Sequence, residues 1–190
     1  MVHSPDHASF TDATPTVDRV ETTARLLHPW PAVIDAGCRV LILGTFPSPA
    51  SRRFGFYYGN PQNVFWTVLA DVLGTAPPVA SPDARRAFLL GSRIACWDVL
   101  HACTIAGASD ASIRDPEPNR FAPLLATAPI GAVFTNGRAA TDLFNRLCAG
   151  EAGRSATYLP STSPANRARQ ARPDFREAWR QVALAAGAGR

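Results

Sequence analysis

The chain contains no lysine. All 19 of its basic residues are arginine, set against 15 acidic residues for a net charge of +4. The planar guanidinium suits bidentate contacts with phosphate. A modest positive balance permits a nucleic acid partner without requiring one. Cysteine is scarce: Cys38, Cys96, Cys103 and Cys148 are scattered and never form C-x-x-C. Small buried hydrophobes are the expected role for them. No histidine pair has zinc spacing, so neither a metal nor a cofactor is expected. No apolar stretch approaches the roughly 18 residues a membrane-spanning helix needs. The opening MVHSPDHASFTDATPTVD lacks a basic start and an apolar core, so a secretory leader is not expected and a cytoplasmic location is. The phosphate-binding patterns G-x-x-x-x-G-K-[ST] and G-x-G-x-x-G are missing too, which argues against a small nucleotide-binding enzyme.

What is present suits one globular domain. The 190 residues are 46% hydrophobic and 18% charged, a balance far from that of disordered chains. Residues 1–16 are polar, contain proline and show no periodicity, so a flexible N-terminal arm is expected there, followed by a single domain over 17–190. Apolar spacing predicts a helix over Val17–Leu27, stopped by Pro29 and Pro31. Cys38–Leu43 is a short apolar run ending at Gly44, as in a strand buried on both faces. A loop over Thr45–Gln62 follows. Asn63 then caps a predicted helix, Val64–Leu73, closed by Gly74.

Beyond it the pattern predicts a helix at Asp83–Leu90 and a strand at Ile94–Val99. A loop is expected at His101–Asp115 and a short helix at Asn119–Ala126. A strand at Ile130–Phe134, a helix at Arg138–Cys148, a strand at Ala156–Leu159 and a last helix at Asp174–Ala186 complete it. Alternating strands and helices imply a mainly parallel sheet with helices on both faces. The expected fold is three-layer α/β/α with a central four-stranded, mainly parallel sheet. Sites in such folds lie at the carboxyl ends of the strands. Three loops leave those ends: 44–63, 135–138 and 160–166.

The first loop reads GTFPSPASRRFGFYYGNPQNVFW. Gly44 permits a sharp turn off the strand. Ser48 and Ser51 can donate to phosphate. Phe54, Phe56, Tyr57 and Tyr58 beside Arg52 and Arg53 suit the stacking of a base, although local packing is the better account of Phe54 and Phe65. Asn60 and Asn63 flank a proline and suit either caps or chemistry. The last loop, LPSTSPAN, frames three hydroxyls with two prolines. Its small residues and backbone N–H groups can grip phosphate, and its rigid tip can act as a wedge.

Together, G-[ST]-F-P-S…S…Y-Y-x-[NH]-P-x-N-x-F-W and L-P-S-T-S-P-A-N resemble the hypoxanthine-DNA glycosylases, family 6 of the uracil-DNA glycosylase superfamily. The first segment is similar also to that of the mismatch-specific uracil-DNA glycosylases. WDVL at 97–100, SDASI at 109–113 and FTNGRAA at 134–140 follow the family's blocks in order, and the likeness covers about residues 38–180. It implies hydrolysis of the N-glycosidic bond of a deaminated base in DNA during base excision repair, without a cofactor, by a monomer.

Residue by residue, the resemblance implies Asn63 as the essential residue that positions water, with Asn60 second. It makes Tyr58 the aromatic that stacks on the flipped base, gives Ser161 and Ser163 to phosphate, and puts Thr162, Pro164, Ala165 and Asn166 at the wedge. The loops themselves offer Gly44, Thr45, Phe46 and Asn136 as further candidates around the base, Asn136 suiting a turn before a helix as well, and Ser48, Ser51, Arg52 and Arg53 as candidates for contact with DNA. Phe46 stands where the superfamily often has the activating Asp or Asn, and Leu159 where it has a late-loop His or Asn. Asp98 and Asp110 are the carboxylates best placed to assist. A uracil or G·U mismatch glycosylase and a catalytically silent binder of damaged DNA are the competing functions.

Overall fold

The computed structural model describes Met1 and residues 24–187. The expected arm at 1–16 and the expected helix up to residue 23 lie outside the described residues. The chain enters as β1 (Ala24–Leu27), then β2 (Val40–Gly44), α1 (Pro49–Phe54), α2 (Phe65–Leu73), α3 (Pro82–Gly91), β3 (Ile94–Asp98) and β4 (Leu100–Ile105). A 3-10 turn at Asp110–Ser112 precedes β5 (Arg114–Pro118), α4 (Phe121–Leu125), β6 (Ala132–Asn136), α5 (Arg138–Leu147) and α6 (Ala149–Ala152). The rest is β7 (Thr157–Leu159), a second 3-10 turn at Pro164–Asn166, α7 (Arg167–Gln170) and α8 (Asp174–Ala186).

The central sheet has four parallel strands in the order β3-β2-β6-β7. Strand β2 lies inside it and is buried at all five positions, which is why its sequence is apolar without alternation. Its side chains nonetheless divide by parity. Val40 and Ile42 pack with Phe65 and Leu69 of α2, Leu89 of α3, and Trp179 and Val182 of α8. Leu41 and Leu43 pack on the opposite face with Phe121 and Leu124 of α4 and with Leu143 and Phe144 of α5. Two helical layers thus sandwich one parallel sheet, the architecture expected from the sequence.

Two expectations are corrected. Residues 24–27, placed in a helix by their spacing, form β1, an edge strand paired antiparallel with β4. The segment 101–115, expected as loop, holds most of β4 and the start of β5. These three strands make a second, antiparallel sheet in the order β1-β4-β5. Pairing with distant partners overrode local pattern in both cases. The loop after β2 also contains α1, capped by the Ser48 side chain and ended by Gly55 at φ 82°.

Candidate active site

The carboxyl ends of β2, β3 and β6 open on one cavity of about 280 Å3. That is the lower end of the range for small-ligand pockets (about 300–1,000 Å3) and is sized for a single heterocycle. Gly44 ends β2, Asp98 ends β3, Asn136 ends β6, and Ser161 and Ser163 follow β7. The turn after β4 adds Asp110.

Gly44 is required by space. A Cβ there would collide with Asp98 Oδ1 and stand 3.2 Å from the Tyr58 hydroxyl. The Asp98 carboxyl therefore lies against the backbone of the first loop. Next to it, Thr45 Oγ1 donates to Asp110 Oδ2 at 3.0 Å. Asp110 is exposed as a residue, yet it lines the cavity and its carboxyl group is partly desolvated. Desolvation there pushes it above the usual carboxylate range, and the Asp98 carboxylate adds to the effect. Asp98 itself is buried, and its Oδ2 lies 2.9 Å from His28 Nε2.

Tyr58 takes a left-handed conformation, φ 49°, which is uncommon for a side chain of this size. Two donors hold its carbonyl, Trp66 Nε1 at 3.2 Å and Arg85 Nη1 at 3.4 Å. Its ring stacks on Phe65 with centroids 3.7 Å apart. Phe65 thus takes one face, and a base can use only the other. The Tyr58 hydroxyl is buried without a hydrogen-bond partner. Asn136 lies beside it outside hydrogen-bond geometry, and burial raises the phenol far above its usual range.

Asn63 Oδ1 accepts from the Phe65 amide at 3.0 Å, and Asn60 Oδ1 accepts from the Gln62 amide at 2.9 Å. Asn63 therefore serves the start of α2 from one residue before the cap position, which Val64 occupies. In both residues the oxygen is committed to backbone, which leaves the amide NH2 to face the cavity they line. An NH2 group can hold a water by its lone pair. It cannot take the water's proton, so a carboxylate is needed for that.

The two long loops are tied together. Val64 N donates to Thr162 O at 3.2 Å. Asn136 Nδ2 donates to Thr162 Oγ1 at 2.8 Å, and its Oδ1 accepts from the Thr162 amide at 2.9 Å. Thr162, expected at the wedge, is instead fully buried; it braces the loop and touches no solvent. The Asn136 carboxamide, expected at the base edge, spends two hydrogen bonds on that brace. Asn166 does not line the cavity either: its Nδ2 donates to Ser161 O at 2.8 Å.

Gly44, Thr45, Phe46, Ser48, Ser51, Tyr58, Asn60 and Asn63 do line it, with Asn136, Ser161, Ser163, Pro164 and Ala165. Ser51 is buried and accepts from the Gly59 amide at 3.1 Å, so it holds the loop from within. Arg52 and Arg53 lie off the cavity. Arg52 Nη1 donates to Pro47 O at 2.6 Å, and Arg53 is exposed.

All four cysteines are buried and free. Burial pushes the Cys103 and Cys148 thiols up to about 11, which keeps them protonated and poor ligands. Among the described residues no group of three or more His, Cys, Asp or Glu could hold a metal ion.

A sequence model of the uracil DNA glycosylase superfamily matches residues 31–183. The chain belongs to the uracil DNA glycosylase superfamily. A protein named hypoxanthine DNA glycosylase from Methanosarcina acetivorans is 37% identical over 139 residues, 73% of this chain and 87% of its own. Its namesake from Methanosarcina barkeri is 35% identical over the same shares. The solution NMR structure of a Methanosarcina acetivorans protein, provisionally named a uracil DNA glycosylase, has a TM-score of 0.70 at 33% identity. It covers 83% of this chain and 96% of that one. The protein is therefore a DNA glycosylase, and DNA is its substrate. No helix among the described residues is long and apolar enough to cross a membrane.

His28 was not legible as a site residue in the sequence. The one signal was its place before Pro29, which disfavours a helix at that point. Its partner, Asp98, is 70 positions away.

Proposed function

We propose that this glycosylase is monofunctional and removes deaminated bases, hypoxanthine first, by hydrolysing the N-glycosidic bond of deoxyinosine in DNA. The observation that carries this is the constellation on the cavity wall. The Asn63 amide can hold a water, and the Asp110 carboxylate beside Thr45 can take that water's proton. A base inside a duplex must be extruded first, which costs a few kcal/mol and least for weakly paired lesions. The cavity then receives the flipped base on the free face of Tyr58. Deaminated purines are favoured by the likeness to the two relatives named hypoxanthine DNA glycosylase.

The flipped nucleotide's sugar passes through an oxocarbenium-like state as water attacks. Fixed polar groups and the flanking phosphates stabilise that charge. Phe46 contributes no polar atom of its side chain at the cavity wall, so the water depends on residues farther along the loop. Ser161 and Ser163 would meet phosphate at the mouth, Pro164 and Ala165 would fill the gap left by the base, and a monomer suffices.

Purified protein incubated with labelled duplexes carrying inosine, uracil or xanthine, followed by alkaline cleavage at abasic sites, tests this directly. The expected result is strand scission with inosine at the highest rate. Preference for uracil opposite guanine would make it a G·U mismatch uracil-DNA glycosylase instead. Binding to all three duplexes with no scission would make it a silent binder.

A further inference from the structure

We propose that His28 and Asp98 act as one buried unit that holds a proton and passes it to the departing base. Asp98 is the catalytic member and His28 its positioning residue. This rests on the glycosylase activity proposed above. Both side chains are almost fully enclosed, with 2% and 6% exposure. His28 Nδ1 lies 2.8 Å from the Trp30 carbonyl oxygen, and Nε2 lies 2.9 Å from Asp98 Oδ2. A carbonyl oxygen only accepts, so Nδ1 carries a hydrogen. The Trp30 amide also approaches Nδ1, but at 3.5 Å, which is too long to compete. A neutral imidazole has one N–H. With that hydrogen on Nδ1, Nε2 and Oδ2 would face each other as two acceptors. Only a second proton shared between Nε2 and Oδ2 satisfies the contact.

The surroundings enclose the pair. The rings of Trp30, Phe46, Tyr57 and Trp97 stand 5.7–6.5 Å from the imidazole and exclude water on that side. Asp98 is also the side of the pair that reaches the cavity, through the gap left by the missing Gly44 side chain. His28 stands outside residues 31–183, the part matched by the superfamily model. Strand β1 ends one residue before His28, and the His28 amide donates to His101 O of β4 at 2.7 Å. The second sheet thus delivers a group that the central sheet lacks.

The titratable groups facing the pair are Tyr57 and Tyr58 from the first loop, Cys96 on β3, and Asp110 across the cavity. Burial holds the two phenols and the thiol neutral, so they give up no proton near neutrality. The late loop lines the cavity with Ser161, Ser163, Pro164 and Ala165, none of them acidic or basic. The C1′–N bond breaks with its electron pair going to the base, and an acceptor atom of the base takes the pair's proton through the Asp98 carboxyl. Water adds to C1′ and gives a proton to Asp110. A neutral base leaves, one water is consumed, and solvent recharges the pair while Asp110 releases its proton.

The test measures single-turnover release from an inosine duplex across pH for wild type, His28→Gln and Asp98→Asn, with DNA affinity by fluorescence anisotropy. Wild-type release is expected to slow as pH rises, as release assisted by a general acid does. Both variants should be about 100-fold slower or more, the scale of a lost general acid, and should lack that alkaline limb. Their DNA affinity should stay within about 3-fold, since phosphate contacts dominate it. A wild-type rate with no alkaline limb overturns the proposal, as does a folded His28→Gln with the wild-type rate and profile. If His28→Gln fails to fold, the isosteric Asp98→Asn and the wild-type profile decide. Release of no base from inosine, uracil or xanthine duplexes sinks the glycosylase assignment and this proposal together; release with an unchanged profile sinks this proposal alone.

Discussion

At the residue scale, Asn63 joins two roles in one amide. Its oxygen accepts from the Phe65 amide and supports the start of α2. Its NH2 is left for the cavity. Asn63→Ala removes both, and excision of hypoxanthine should fall by about 100-fold or more, the scale of a lost transition-state donor. The lost backbone contact should cost about 1 kcal/mol, visible as a lower melting temperature. DNA affinity should barely change. Asn60→Ala is the paired measurement. If it abolishes excision while Asn63→Ala does not, the essential amide is Asn60, and full activity in both removes this loop from the chemistry. The first loop was legible because chemistry and sequence run together there: N-P-x-N-x-F-W carries its asparagines and its aromatic stack within a few positions. The acidic half was legible only as two isolated carboxylates. That Asp98 leans on a histidine, and Asp110 on Thr45, depends on side chains 70 and 65 positions apart.

At the element scale, the buried strands announced themselves because a strand covered on both faces has no reason to alternate. The second sheet did not. Strand β1 is a short edge, β4 pairs with β5 through register shifts, and β5 carries two prolines in RDPEP. An edge strand tolerates such residues, so neither alternation nor apolarity marks it. The late loop suits a phosphate grip and wedge by sequence, yet its side-chain hydrogen bonds serve the fold. Asn136 joins the end of β6 to Thr162, and Trp179 of α8 donates to Pro160 O at 3.1 Å. Asn136→Ala would leave the Thr162 amide and hydroxyl buried and unpaired. A cost of about 1–3 kcal/mol is expected, seen as a lower denaturation midpoint in urea. A midpoint equal to wild type would show that the loop does not depend on this brace.

At the scale of the whole molecule, the positive charge is carried by arginines alone, and Arg52 and Arg53 on α1 directly follow Ser51 of the cavity wall. Arg53 is exposed and has no ion-pair partner among the described residues. If it meets a phosphate, Arg53→Ala should lower DNA affinity and reduce the slope of log affinity against log salt by about one. Arg52→Ala should do more than that, because its guanidinium also holds the Pro47 carbonyl and so the shape of the loop. An unchanged slope in Arg53→Ala would place the phosphate track elsewhere on the surface.

Helix α8 runs against the strands: Trp179, midway along it, donates to Pro160 O just after β7, and Gly187 at its end lies beside Arg93 at the entrance to β3. Its last turn therefore sits at the pole of the molecule opposite the cavity. A surface tether or fluorescent label attached at Gly187 would point the cavity away from its support. The protein can be fixed to a sensor chip in one orientation, open side toward the DNA, with no residue of the catalytic pole altered.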